Sequence, residues 1–334
     1  MSNKGSYIIK TLIILTLLIF SIFLVRSYER NREASQIGIL MDTFVDIRVW
    51  GKDSDKALKE SWELLKDLSN KIDRFNPNSE ISKINKNAGD YVEVSYDTLN
   101  IIKKAKYFAQ ITNGYFDPTI ASLMKIWGFY DKNYRIPDKK EIEDKLKYVD
   151  YRKIYIEGNK VMIEKGMELD LGGIAKGYLI DRIFEVLRKY SIDRAVLNLG
   201  GQVGVYGSPQ KGALWEVSIR HPRKDQDFIG RVFIKEGSVS TSGDYERYFI
   251  KDNKRYCHII NPKDGYPSNS VISVSVISKS GAEADALSTA FFILGKDAIS
   301  LWKEKFSYLG LVIVFPNLNL WYSPNLEFEV ESKK

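Results

Sequence analysis

The chain has 334 residues and a net charge of +7, with 44% hydrophobic and 28% charged residues and one cysteine. That length supports a large core in one or two domains, and a single cysteine excludes an internal disulfide and a cysteine metal cluster. The 50 basic residues are dispersed among 43 acidic ones, so no basic block argues for a nucleic-acid face and no nucleic acid is expected as a partner.

From Ile8 to Val25 the chain is apolar except for Thr11, Thr16, Ser21 and one charge, Lys10. This is about the length of a short membrane span, and a lysine near its start can snorkel. No small-residue cleavage signature follows Val25, and no cysteine is present for lipid attachment. The expectation is an uncleaved, single-pass anchor over residues 1–25, a polar linker over 26–36, one domain over 37–325 and a tail over 326–334. Positive charges flank the span on both sides, so they do not set its orientation.

Apolar and polar residues alternate from Thr43 to Trp50, which predicts a strand. Leu58, Trp62, Leu65, Leu68 and Ile72 recur every three or four residues, which predicts an amphipathic helix over 55–73. A second helix fits 96–112, with Leu99, Ile102, Ala105, Phe108 and Ala109 on one face. Strands are predicted at 153–157 and 160–163. A helix follows Gly173, with Tyr178, Leu179, Ile183, Val186 and Leu187 inward. Further strands are predicted at 194–199, 214–219, 230–235, 247–250, 255–260 and 271–277. A last helix follows Ser280, and short strands at 307–314 and 319–323 close the chain. Runs of strands without strict strand–helix alternation predict an α+β fold of mixed, largely antiparallel sheets with packed helices. No Gly-x-Gly-x-x-Gly or Walker loop is present, so neither common nucleotide signature accounts for the chain.

Several segments carry residue types suited to chemistry. Asp170-Leu-Gly-Gly-Ile-Ala-Lys-Gly177 joins a strand to a helix; its glycines and free helix-start N–H groups suit a phosphate, and Lys176 adds a positive charge. By itself the segment reads more readily as a tight turn with a surface lysine. Ser240-Thr-Ser-Gly-Asp-Tyr245 reads as a turn or as the lining of a polar pocket. His258 is one of two histidines and suits a base near neutral pH, or a structural role. Asp285 and Thr289 stand four apart on one helix face, so both oxygens could join a magnesium shell, or the aspartate could simply oppose the helix dipole. Ser280-Gly-Ala-Glu283 has the spacing of a capping box. Cys257, in an apolar-aromatic run, is expected at a buried strand position.

The order of the segments is more specific than any one of them. Met41-Asp-Thr43, Phe75-Asn-Pro-Asn-Ser-Glu-Ile-Ser82, Asn113-Gly-Tyr-Phe-Asp-Pro-Thr119 with Trp127-Gly-Phe129, the Asp170 loop, Asn198-Leu-Gly-Gly201, Ser240–Tyr245, His258-Ile-Ile-Asn-Pro262 and Ala284-Asp-Ala-Leu-Ser-Thr289 follow one another. Over roughly residues 38–323 this resembles the ApbE family, the FAD:protein FMN transferases. The resemblance implies a magnesium-dependent enzyme that takes FAD as substrate, transfers FMN to a threonine or serine hydroxyl of an acceptor protein and releases AMP. It implies flavin contacts at Met41, Phe75, Tyr115, Phe116, Asp117, Asp170, Lys176 and Ile259. The Gly173 carbonyl, Asp285 and Thr289 are implied as metal ligands, and His258 as the group that activates the acceptor hydroxyl. It also implies a domain on the extracytoplasmic side of the cell membrane. The sequence departs from the family where Phe75 replaces a frequent tyrosine, where Asp42 replaces a usual glycine, and where Ser288 replaces a further acidic ligand of some members. An FAD pyrophosphatase and a non-catalytic flavin-binding protein remain alternatives.

Overall fold

The computed structural model describes residues 12–21, 31–40, 43–210 and 212–331. Helix α1 covers residues 12–21 with its side chains exposed. The rest of the expected anchor, and Met41, lie outside the described residues. Among the described residues no helix is long and apolar enough to cross a membrane.

The main sheet has eight strands in the order β1-β2-β6-β7-β10-β13-β14-β15. In chain order these are β1 (Glu33–Leu40), β2 (Thr43–Gly51), β6 (Ile192–Leu199), β7 (Gln202–Gly207), β10 (Gly237–Gly243), β13 (Ser273–Ser278), β14 (Gly310–Val314) and β15 (Leu320–Tyr322). Each neighbouring pair is antiparallel, and the fold is the expected α+β arrangement. The alternating pattern of each strand feeds two layers. Ile47, Val49, Leu197, Leu199, Val276 and Leu311 enter the main core beneath the helices. Val205, Val239 and Val312 enter a second core. That core is closed by a three-stranded sheet of β8 (Trp215–Arg220), β9 (Phe228–Ile234) and β16 (Phe328–Val330).

Two boundaries differ from expectation. Strand β1 begins at Glu33, inside the segment expected as a linker, because its backbone pairs with β2 from Glu33↔Trp50 to Leu40↔Thr43 and Ala34 is buried. Strand β16 lies inside the expected tail, because Phe328 pairs with Val232 and packs on Tyr322.

The helical layer contains α2 (Ser54–Ile72), α3 (Glu80–Lys86), α4 (Tyr96–Ile111), α7 (Ala175–Leu187), α8 (Gly281–Leu294) and α9 (Ala298–Lys305). Leu58, Trp62, Leu65, Leu68 and Ile72 of α2 are all buried, as their spacing predicts. A small sheet of β3 (Val92–Glu93), β4 (Ile154–Glu157) and β5 (Lys160–Ile163) flanks this layer. The short helices α5 (Ala121–Ile126) and α6 (Lys139–Leu146) form a third cluster with Trp127 and Phe129. Against it lies the hairpin of β11 (Tyr248–Lys251) and β12 (Lys254–Cys257), whose Phe249 and Tyr256 rings stack at 5.1 Å, with Tyr256 stacked on Trp127 at 5.7 Å. Cys257 is buried at the end of β12, as expected, and burial pushes its thiol up to about 12.

Candidate active site

The site gathers at the adjoining N-terminal ends of α7 and α8. Gly177 and Gly281 make their approach possible: a Cβ on Gly177 would lie 2.0 Å from the Gly281 carbonyl oxygen, and one on Gly281 would lie 2.4 Å from that of Gly177. Only residues without a Cβ fit this crossing. The contact brings the Asp285 carboxylate onto α7, where Oδ2 accepts from the Gly177 N–H at 3.1 Å. Oδ1 accepts from Ser240 Oγ at 3.2 Å and lies 3.6 Å from Lys176 Nζ. Asp285 is 4% exposed, and its charge is met by one backbone N–H, one hydroxyl and one ammonium.

Thr289 stands one turn further along α8. A Cβ on Gly173 would lie 3.4 Å from Thr289 Oγ1 and 3.1 Å from the Phe116 ring. Gly173, Thr289 and Phe116 therefore share one small space, with Asp285 one turn back along α8. Strand β10 lines it with hydroxyls. Ser242 Oγ lies 2.9 Å from Ser288 Oγ and 3.4 Å from Thr289 Oγ1. Ser240–Tyr245 was expected as a turn or pocket lining; its first four residues are strand, and Ser240 and Ser242 point at α8.

The Asp170 carboxylate is held from two sides. The Tyr130 hydroxyl donates to Oδ2 at 2.5 Å, and the Gly172 N–H donates to Oδ1 at 2.7 Å. Arg74 donates to Tyr130 at 2.7 Å and to Glu168 at 2.8 Å, with its guanidinium 4.1 Å above the Tyr130 ring. Burial and the Asp170 charge hold the Tyr130 phenol well above its usual range, so it remains a donor. Phe75 packs edge-on against Tyr130 at 5.3 Å and is 60% exposed, which leaves ring surface free for a ligand.

His258 follows β12. Its backbone N–H donates to the Arg247 carbonyl at 2.9 Å, and its Nδ1 lies 3.2 Å from the same oxygen. A carbonyl only accepts, so Nδ1 carries the proton and Nε2 presents a lone pair. Burial, helped by the charges of Arg247 and Lys176, pushes the half-buried imidazole down to about 3, while the Asp170 charge opposes the shift. The ring is thus neutral near pH 7 and within the fields of both Lys176 and Asp170.

The remaining expected residues have the following partners. Asp117 is 8% exposed; Oδ1 accepts from Thr119 N at 2.9 Å and Oγ1 at 2.6 Å, and Oδ2 accepts from Tyr151 N at 3.0 Å. It shapes the 113–119 loop that carries Tyr115 and Phe116. Tyr115 is half-buried beneath Lys263, whose Nζ lies 5.5 Å from the ring centre. Ile259 is buried, and its carbonyl accepts from Ser268 N at 2.9 Å. Sequence reasoning missed Arg74, Tyr130, Asp181 and Gln202. It also did not pick out Ser240 and Ser242 as the inward hydroxyls. The alternation Ser238-Val-Ser-Thr-Ser242 was the available signal for these two.

The pattern described as the ApbE family matches residues 41–311. The chain belongs to the ApbE family. It is 31% identical over 311 residues to an FAD:protein FMN transferase of Treponema pallidum, covering 86% of each chain. It is 33% identical over 271 residues to one of Klebsiella pneumoniae, covering 79% of this chain and 84% of that one. Among solved structures, an ApbE protein from Thermotoga maritima superposes with a TM-score of 0.82 at 34% identity, covering 88% of this chain and 97% of that one. The flavin transferase ApbE of Vibrio cholerae gives 0.77 at 25% identity, covering 88% and 97%. The ApbE fold thus accounts for nearly all of the described domain.

Proposed function

We propose that this chain is an FAD:protein FMN transferase. One observation carries the reading most directly: a buried carboxylate, a lysine and a set of hydroxyls meet at two helix N-termini, beside a neutral imidazole. The Lys176 ammonium, at the positive end of the α7 dipole, suits the pyrophosphate of FAD. The exposed face of Phe75 suits the flat isoalloxazine ring.

In the proposed reaction the acceptor hydroxyl oxygen attacks the FMN phosphorus. The bond from that phosphorus to the bridging oxygen breaks, and AMP leaves with that oxygen. His258 Nε2 takes the hydroxyl proton. Lys176 holds phosphate oxygens as charge develops on them. Asp285, Thr289 and the Gly173 carbonyl offer oxygen donors alone, a set that fits magnesium if phosphate and water complete the shell. Bound there, magnesium would supply charge neutralisation at the phosphates.

We further propose that residues 1–25 anchor the chain in the cell membrane with the catalytic domain on the extracytoplasmic side. The apolar run Ile8–Val25 supports this, together with the helix at 12–21. A reporter fused to the C-terminus should be active only outside the cytoplasm.

The transferase reading is tested by incubating the protein with FAD, magnesium and a candidate acceptor. AMP release that depends on the acceptor supports transfer. FMN and AMP formed equally without acceptor would mean a pyrophosphatase, and unchanged FAD a binding protein.

A further inference from the structure

Helices α7 and α8 cap each other. Gly177 and Asp181 on α7 have the same spacing as Gly281 and Asp285 on α8. The glycines touch back to back, and each aspartate crosses to the other helix. Asp285 accepts from the Gly177 N–H of α7. Asp181 accepts at Oδ1 from Gly281 N at 2.5 Å, and at Oδ2 from Ser280 Oγ at 2.7 Å and Ala282 N at 3.1 Å.

The two carboxylates differ in what they have left to offer. Asp181 takes three donors, all from the start of α8. Asp285 takes one backbone N–H and faces the hydroxyls and Lys176. Helix α8 also has its own cap, since Ser280 Oγ accepts from Glu283 N at 3.3 Å. Asp181 satisfies two further N–H groups of that first turn, Gly281 and Ala282, and does so from the neighbouring helix. What it adds is a tie between helices that fixes α8 in translation and rotation along α7. Gln202 supports the tie by donating to the Gly281 carbonyl at 3.1 Å.

We infer that Asp181 is the positioning residue for the phosphate and metal end of the site: it sets α8 against α7 so that Asp285 and Thr289 meet Gly173 and Lys176. The assignment rests on the proposed transferase reading. Asp181 touches no reacting atom, and its effect passes through Asp285.

The test compares wild type, Asp181→Ala and Asp181→Asn. The readouts are the magnesium concentration for half-maximal transfer, KM and kcat for FAD, and the rise in unfolding temperature on adding magnesium with FAD. Thermal unfolding without ligands is the folding control. Asp181→Ala should raise the magnesium requirement by about ten- to a hundredfold, the usual cost of losing a partner that orients a ligand. The FAD KM should rise with it, while kcat at saturating magnesium falls far less. Asp181→Asn keeps one acceptor oxygen and should recover much of the loss. The ligand-induced rise in unfolding temperature should shrink in the same order.

Folded Asp181→Ala protein with wild-type magnesium and FAD dependence would overturn the inference. So would a loss of kcat alone that tracks the loss of folded protein. If wild type transfers nothing, the transferase reading fails, and the ligand-induced unfolding shift still decides the role of Asp181.

Discussion

Lys176 Nζ stands 3.6 Å from Asp285 Oδ1, and both belong to residues anchored on the Gly177–Gly281 crossing. The pair places one half-buried cation beside one buried anion. Asp285 is held by the Gly177 N–H, whereas Lys176 is half-buried and can turn to a phosphate. Lys176→Gln should therefore leave the fold intact and lower the rate of transfer on the order of a hundredfold, the scale for losing a group that stabilises transition-state charge. Steady-state kinetics with FAD varied would measure it. A variant with a wild-type rate removes Lys176 from the chemistry.

Asp285 supplies the formal negative charge among the three expected metal ligands, and Thr289 and the Gly173 carbonyl are neutral. Asp285→Asn should raise the magnesium requirement strongly, and Thr289→Val more mildly. Both should stay folded, since α8 keeps its buried Leu287, Ala290 and Phe291. A magnesium titration of transfer rate, with thermal unfolding as control, gives the answer. A folded Asp285→Asn protein with an unchanged requirement would show that the metal lies elsewhere.

Gly177→Ala tests the crossing itself. The added Cβ would meet backbone on the other helix at 2.0 Å, which no side-chain rotation relieves. The helices must separate, at a cost of about 1–3 kcal/mol for an overpacked contact. Unfolding should occur at lower denaturant, and transfer should fall further than folding does, because Asp285 loses its Gly177 partner. Wild-type stability in Gly177→Ala would mean that the helices do not cross this closely.

His258 gives a pH signature. Its folded value of about 3 lies below the ordinary 6.5. The unfolded chain therefore takes up this proton first as the pH falls, and stability is lost from about pH 6.5 down towards 3. His258→Gln should flatten that part of the stability curve. It should also remove most transfer while leaving FAD affinity largely intact, because a general base acts in the transition state. In wild type, the acid limb of kcat/KM should not carry a group near 6.5 that vanishes in His258→Gln. Finding such a limb would contradict a neutral imidazole.

Much of this site was legible because its residues come in short blocks tied to strand-to-helix junctions. Periodicity revealed α2 and the inward face of α7, and the position of Ser280 fixed the start of α8, where its side chain does cap Glu283 N. The second half of the expected capping box is spent differently: Glu283 accepts from Ser278 Oγ and Tyr308. Strand β10 was obscure because its inward positions are serines, small enough to admit α8 and polar enough to read as a turn. Strand β1 was obscure because only Ala34 of it is buried, and its first four residues, Glu33-Ala-Ser-Gln36, read as a linker. Arg74, Tyr130 and Asp181 carried no local signal at all. Each acts on a residue far away in the chain, and only the packed fold shows which.

The most direct measurement is the intact mass of a candidate acceptor after incubation with this protein, FAD and magnesium, with AMP quantified alongside. The account predicts that the acceptor gains one FMN through a threonine or serine oxygen, that AMP appears in equal amount, and that His258→Ala abolishes most of both. An acceptor of unchanged mass while FAD is consumed, or a flavinylated acceptor formed equally well by His258→Ala, would contradict it.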